Sequence, residues 1–348
     1  MKKFLVLLAV LVLSMSGIQS ASAAKVNWRL VTHAMPGTEQ QHIAEVFCET
    51  VKTLSKGEFV IEPFAGGVLF PVFESFDAIA NGVVDAGLVY SAYWTGKDPL
   101  FTLTTQPGNP LGTFAEAAYF ADKLEPWFAK LYAKHRITYL GHAVISPIRE
   151  QFMSVVPINT LEDLKGKKVR TAGFGARFYE ALGATTISLA APEIYTAFQT
   201  KNIDAAEWTF WDENLRMGFH EVAKYVIDPA IHTGAHENWP LLVNPGRWDS
   251  LSQENKDILL AARDVMRYHA AMLYVLEVKA RQRWREVPGI TIKSWSPEDE
   301  VKASDVGNAL VIEECNKSAE GKEFLDIYRS TLWELGYKDQ AKKLGYTE

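Results

Sequence analysis

Only two cysteines, Cys48 and Cys315, occur in 348 residues. So few exclude a disulfide-stapled mini-scaffold, and stability must come from an apolar core. The two lie in separate helical-looking runs, which leaves both a bridge and two buried thiols open. Beyond the N-terminal stretch no run is apolar and long enough to cross a membrane. Basic blocks are also missing. With a formal charge of −6 the chain carries no footprint for nucleic acid. No G-x-S-x-G or phosphate-loop pattern occurs, and no internal repeat or low-complexity linker. His232, His236 and Glu237 in HTGAHE lack a third histidine and a fixed spacing. Neither a hydrolytic zinc centre nor any other enzyme or cofactor is expected.

What is present begins with Lys2 and Lys3, followed by an apolar run from Phe4 to Leu13 and an Ala21-Ser22-Ala23 site. A basic start, a short apolar core and an A-x-A site describe a secretory signal peptide, cleaved near Ala23. No cysteine stands near that site to carry a lipid. Cleavage removes 23 of the 348 residues and two lysines, leaving 325 residues at −8. That length favours two domains. An acidic protein that holds an anion must gather its positive charge in one pocket.

From Val26 to Tyr90 the chain alternates strand, helix, strand, helix, strand, which implies a parallel α/β sheet. The helix from Glu39 carries Ile43, Val46, Phe47, Val51 and Leu54 at helical spacing, and Asn81-Gly82 ends the second helix. Tyr90 to Pro99 reads as an aromatic loop at a strand end. Ile137–Ile145 reads as a strand crossing towards a second lobe, and Leu241–Asn244 as one returning to the first. Ser252 to Val287 contains no proline or glycine and reads as one helix of more than about 50 Å at 1.5 Å per residue. Such a helix would brace both lobes. Amphipathic helices follow from Pro297.

Leu161–Trp211 holds the main chemical signal. Arg170 closes the run Lys167-Lys168-Val169-Arg170, and Glu207-Trp208-Thr209-Phe210-Trp211 closes the last unit. Both fall where strands end, the place at which open α/β sheets bind small molecules. Arginine presents a planar fork that matches a carboxylate, and aromatic side chains can enclose the remainder of a small anion. Trp208, Phe210, Trp211, Tyr93, Trp94 and Phe70 are the candidates for that enclosure, with Trp211 pointing opposite to Phe210 on an extended chain.

LEDLKGKKVR (residues 161–170), EIYTAFQT (193–200) with IDAAE (203–207), and YWTGKDP (93–99) together resemble the solute-binding proteins of tripartite ATP-independent periplasmic (TRAP) transporters. The last of these is similar to the subgroup that binds 2-oxo and 2-hydroxy acids. The resemblance runs over the whole mature chain. It implies a two-lobed periplasmic binding protein fold with a hinge, in which residues 24–145 plus about 238–270 form lobe I. Residues 146–237 plus about 271–348 would form lobe II and the C-terminal helices. It also implies a periplasmic protein that hands an organic anion to the membrane subunits of a permease; presentation of the same ligand to a membrane receptor, and a small sulfonate or dicarboxylate as the ligand, stay open. By the same resemblance Arg170 pairs with a ligand carboxylate and Arg149 is the second arginine. His33, in the turn after the first strand, completes the expected ligand contacts. Trp208 replaces a common asparagine, as in the oxo-acid subgroup. Members that use a metal ion carry glutamine at the place of Arg149 and an acid near Thr233, so no metal bridge is expected here.

Overall fold

The computed structural model describes residues 25–146, 148–231 and 237–347. The segment read as a signal peptide, and His232, Thr233 and His236, lie outside the described residues.

The first lobe is built on five strands: β1 (Val26–Thr32), β2 (Phe59–Phe64), β3 (Ala86–Leu88), β4 (Thr138–Ser146) and β10 (Glu237–Val243), in the order β2-β1-β3-β10-β4. β1 runs parallel to β2 and β3, whereas β10 is antiparallel to both β3 and β4. The first crossover helix, α1 (Glu39–Leu54), starts where the Thr38 side chain accepts a hydrogen bond from the Gln41 backbone. Ile43, Phe47 and Val51 are buried on one face of it, as their spacing predicts. The second, α2 (Ser75–Ala80), stops at Asn81 and at Gly82, whose φ of +72° suits glycine. The long helix α3 (Phe114–Lys134) leads into β4.

The second lobe holds β5 (Phe152–Ser154), β6 (Lys168–Arg170), β7 (Thr185–Ile187), β8 (Ala205–Glu207), β9 (Tyr225–Ile227) and β11 (Thr291–Lys293), ordered β11-β9-β5-β8-β6-β7. Here β6 is parallel to β7 and β8, and β5 is antiparallel to β8 and β9. The intervening helices are α4 (Phe174–Ala181), α5 (Ala191–Gln199), α6 (Trp211–Arg216) and α7 (Phe219–Val222). Each lobe buries its own apolar clusters. The first centres on Leu30, Phe47, Phe120 and Trp239, the second on Phe152, Val169, Phe198 and Trp284.

After β10 and a short helix, α8 (Pro245–Asp249), the chain enters the stretch expected to form one rod. It forms two helices, α9 (Gln253–Met272) and α10 (Tyr274–Glu286), interrupted at Leu273. Ser252 caps the start, as its sequence context predicts. The break has no proline or glycine to mark it, and its cause is tertiary. Leu259, Ala262 and Met266 pack on the first lobe, whereas Ala280 and Trp284 pack on the second. One straight amphipathic face cannot serve both surfaces.

The C-terminal helices are α11 (Pro297–Cys315), α12 (Ala319–Glu334) and α13 (Lys338–Lys343). Although expected with the second lobe, α12 packs on α3: Phe324, Tyr328 and Leu332 join Phe120, Leu124 and Trp127 in one cluster. α11 lies across both lobes, meeting α4 and the turn at Pro99–Thr104. Periodicity reveals that these helices have an apolar face, not which surface covers it. Cys48 and Cys315 are both free and buried, in different clusters. Among the described residues no helix is long and apolar enough to cross a membrane.

Candidate functional site between the lobes

Arg170 is the last residue of β6 and Glu207 the last of its parallel neighbour β8, so both side chains emerge at one end of the sheet. Arg170 is 1% exposed. Its Nε and Nη2 donate to the Leu189 carbonyl at 3.0 and 2.8 Å, and Nη1 donates to the Glu207 carbonyl at 2.7 Å. A longer contact of 3.4 Å joins Nη1 to the Glu207 carboxylate. The guanidinium lies 5.1 Å from the Trp208 ring centroid, within cation–π range. These bonds fix the fork in place. Of its five N–H groups, one on Nη2 and the weakly engaged one on Nη1 remain for an acceptor, among the described residues.

The other Glu207 oxygen accepts the Ala172 backbone N–H at 3.1 Å. Gly173 follows with a φ of +57°, and a Cβ built there would stand 2.5 Å from the Cβ of Ala92 in the first lobe. Only glycine allows the lobes to meet so closely at this point.

Around Arg170 a narrow space between the lobes is lined by His33, Gln40, Tyr90 and Tyr93 from the first lobe. Glu150, Arg170, Ala172, Glu207 and Trp208 line it from the second. A larger adjoining pocket of about 340 Å³ shares His33, Tyr93 and Trp208 and reaches Gly66, Phe73 and Pro192. Gln40 Nε2 donates to Thr209 Oγ1 at 2.8 Å, tying the lobes together beside the cavity. Gln40 Oε1, Thr171 Oγ1 and Trp208 Nε1 are among the buried polar atoms that have no hydrogen-bond partner among the described residues. A buried indole N–H without an acceptor costs free energy unless a ligand supplies one.

Burial pushes the His33 pKa down to about 4, against the smaller opposing effect of the Leu88 carbonyl. The imidazole is therefore neutral near pH 7. Because the Leu88 carbonyl 3.3 Å from Nδ1 can only accept, the proton sits on Nδ1 and Nε2 is an acceptor. Glu150 behaves in the opposite sense. Burial raises its pKa well above the ordinary range, the charge and hydrogen bond of Glu207 raise it further, and Arg170 lowers it.

Of the residues chosen from sequence, Arg170, Trp208, Tyr93 and His33 are brought together here. The others stand elsewhere. Arg149 donates from Nη2 to the Asn109 carbonyl at 3.2 Å, and its ionisable neighbours are Glu300 and the neutral phenols of Tyr328 and Tyr337, all in the C-terminal region. Trp94 is in the first-lobe core, with Nε1 on the Phe73 carbonyl at 2.9 Å and its ring 5.1 Å from Phe76. Phe70 is half-buried at the edge of the same core. Phe210 lines a separate small cavity of about 30 Å³ with Glu213, Leu273 and Glu277. Trp211 packs in the second-lobe core against Trp284. Sequence reasoning missed Gln40, Tyr90, Glu150 and Glu207 as cavity walls. Glu150 could have been found by alternation: its neighbour Arg149 points away, so the next residue points in.

Comparison with known proteins now gives this geometry a context. The family model for DctP, bacterial extracellular solute-binding protein family 7, matches residues 30–317. A monocarboxylate 2-oxoacid-binding periplasmic protein of Nostoc is 30% identical over 250 residues, or 70% of this chain. The match spans 66% of that relative, just under two thirds of its length. Among solved structures, a TRAP solute-binding protein of Bordetella bronchiseptica with copurified calcium and picolinate aligns at a TM-score of 0.83 and 23% identity. The alignment covers 91% of this chain and 95% of that one. One from Pseudoalteromonas atlantica with bound sodium and pyruvate gives 0.81 at 26% identity, covering 93% and 100%. An apo open structure from Rhodobacter sphaeroides gives only 0.66 at 25% identity, covering 89% and 98%. The lower score against the open form agrees with the closed cleft described above.

The cations in two of these neighbours raise the question of fit. Among the described residues the carboxylates in this cavity are Glu150 and Glu207, and Glu207 is already held by Arg170 and Ala172. Among the described residues no group of three His, Cys, Asp or Glu side chains is placed to hold a metal ion. With a two-lobed α/β fold, a closed cleft and a family match over most of its length, the chain belongs to the DctP family: it is a TRAP solute-binding protein, a binder rather than an enzyme.

Proposed function

We propose that this protein captures a small monocarboxylate, a 2-oxo or 2-hydroxy acid with an apolar or aromatic body, and delivers it to a TRAP permease. The observation that carries the reading is the Trp208 Nε1–H, buried without an acceptor beside a fixed and buried guanidinium. Both groups ask for an oxygen acceptor, and the guanidinium asks for an anionic one. Among the described residues a single cationic side chain lines the cavity, because Arg149 is occupied elsewhere. One carboxylate rather than two is the matching ligand. The names of the Nostoc relative and of the pyruvate- and picolinate-bound structures support the same class.

The energetics agree. Charge-assisted hydrogen bonds supply roughly 1.5–3 kcal/mol each, whereas micromolar binding needs about 8 kcal/mol net. Tyr93, Tyr90 and Trp208 must supply much of the difference by enclosing the ligand body and excluding water. A thermal-shift screen of organic acids tests the reading. A ligand at a hundred times its Kd adds about 2.7 kcal/mol of stability. Arg170→Ala is expected to abolish the shift for every acid that stabilises the parent protein. Undiminished shifts in that variant, or stabilisation by sugars or cationic amino acids alone, would overturn the proposal.

A further inference from the structure

We infer that this protein pairs with a second copy of itself through the outer face of α9 and α10, the helices of the two copies running antiparallel across a two-fold axis beside Met272. Six of the fourteen large apolar side chains left exposed among the described residues lie between positions 265 and 278. Five of them, Val265, Tyr268, Met272, Val275 and Val278, recur three or four residues apart and so form one stripe. On their other side the same helices bury Leu259, Ala262, Met266, Ala280 and Trp284 against the lobes. The stripe is therefore a second apolar face, not an edge of the core. Tyr268 is 68% exposed and the other four between 44% and 53%, which leaves on the order of 500 Å² of apolar surface open. A patch of that size bordered by charge marks a contact surface, and it is more than half of the roughly 800 Å² that each partner of a stable pair buries.

The charges bordering the stripe identify its occupant. On the arm before Met272 the exposed acids are Glu254, Asp257 and Asp264; on the arm beyond it the exposed bases include Lys279, Arg283 and Arg285. Opposite charges on each arm are engaged elsewhere. Arg263 and Arg267 turn inward to the Leu140 carbonyl and to Asp122, each at 2.8 Å. Lys256 lies over the Trp248 ring, and Glu286 accepts from Gln282 at 3.1 Å. Asp264 receives Arg263 at 2.8 Å, yet its side chain stays 61% exposed. Turned through a two-fold rotation beside Met272, the acidic arm of one copy lies along the basic arm of the other, twice over. Asp264 and Lys279 stand at nearly the same spacing on either side of Met272, so they meet across the axis, with Asp257 and Arg283 outside them. An isologous contact demands such self-complementarity, whereas an unrelated partner demands no symmetry. A parallel pair would set acid on acid. Because α9 packs on the first lobe and α10 on the second, the pair sets the first-lobe helix of each copy on the second-lobe helix of the other.

Analytical ultracentrifugation of the full mature protein from about 1 to about 100 µM tests this. The parent protein is expected to be dimeric in the upper part of that range. Met272→Glu sets two carboxylates together at the axis and should weaken self-association by about a hundredfold or more. Two charge-reversed variants decide the arrangement. Asp257→Lys with Asp264→Lys makes both arms basic, and Lys279→Glu with Arg283→Glu makes both arms acidic. Each alone should be monomeric, and the two mixed in equal amounts should form a mixed dimer, because every arm again meets its opposite. All five positions are exposed, so the fold is expected to be untouched, and the melting temperature of each variant verifies it. A parent protein that stays monomeric at about 100 µM overturns the inference. So does a dimer that survives Met272→Glu or both charge reversals, or a failure of the two reversed variants to pair when mixed. A monomeric parent whose attachment to permease-bearing membranes is lost in Met272→Glu assigns the face to the permease, and overturns the inference as well.

Discussion

Glu213→Gln is expected to stabilise the protein, and more so as pH rises. Glu213 lies on α6 and Glu277 on α10, and both line the small cavity beside the Leu273 break. Neither carboxylate oxygen of Glu213 has a hydrogen-bond partner of ordinary geometry among the described residues. Around it, Asp212 is paired with Arg216 at 2.6 Å, Arg216 also reaches Glu39 at 3.3 Å, and the Asp212 N–H donates to Glu277 at 3.3 Å. Burial is the main cause that raises Glu213 from 4.5 to about 8, with Asp212 adding to it; Thr38, Gln40 and Arg216 pull the other way. The folded state therefore holds a proton that the unfolded chain has lost at neutral pH. A raised acid stabilises fully below its unfolded pKa and loses that contribution as pH climbs through the folded value. At pH 7 the cost of protonation is about 3 kcal/mol, at 1.36 kcal/mol per unit. Glutamine fills the same volume without a proton. The variant should gain up to about 3 kcal/mol at pH 7, on the order of 5 °C in Tm, and almost nothing near pH 4.5. Scanning calorimetry of both proteins from pH 5 to pH 8 reads the difference. Glu277 titrates in both and differs only by the small contribution of the Glu213 charge, since burial is the main cause of its own shift. Parallel profiles, with no divergence as pH rises, would refute the reasoning.

Other outcomes follow from the same contacts. Trp208→Phe keeps an aromatic ring but removes the N–H and part of the ring area; ligand affinity should fall by at least about five- to tenfold, the loss of one hydrogen bond and some enclosure, by calorimetric titration. Arg149→Met should lower stability by about 1–3 kcal/mol in denaturant unfolding, while the Kd of the tightest acid found by screening changes less than about twofold. Cys48 and Cys315 should both resist a thiol reagent at pH 8 until denaturant is added. Burial raises the Cys48 thiol far above its usual range and pushes Cys315 up to about 12, so neither forms a thiolate in the native state.

Much of this architecture was legible because local periodicity and strand-end position are local properties. Arg170 and Glu207 ending parallel strands, the α1 face and the Ser252 cap all follow from residues within a few positions of one another. What escaped depends on direction and distance. Tyr93 and Trp94 are neighbours in one tight turn, yet one faces the cleft and the other the core. Trp208 and Phe210 differ in the same way, because the chain turns into α6 between them and Phe210 faces the hinge cavity. Arg149 and Glu150 alternate, and the choice of the arginine over the acid assumed that a cation must face an anion site. The Leu273 break and the seat of α12 on α3 depend on surfaces remote in sequence, which no window of residues contains.

The position of β10 governs the order in which this protein can be assembled. It lies between β3 and β4, so the first sheet has a gap until a strand from beyond the entire second lobe arrives. Loop closure over that span is slow, and the waiting edges of β3 and β4 are open to wrong partners. An N-terminal fragment ending before residue 237 is thus not a folded half. A chain emerging from its amino end stays unlocked until nearly 250 residues are available, and the two lobes reach the native state as a pair.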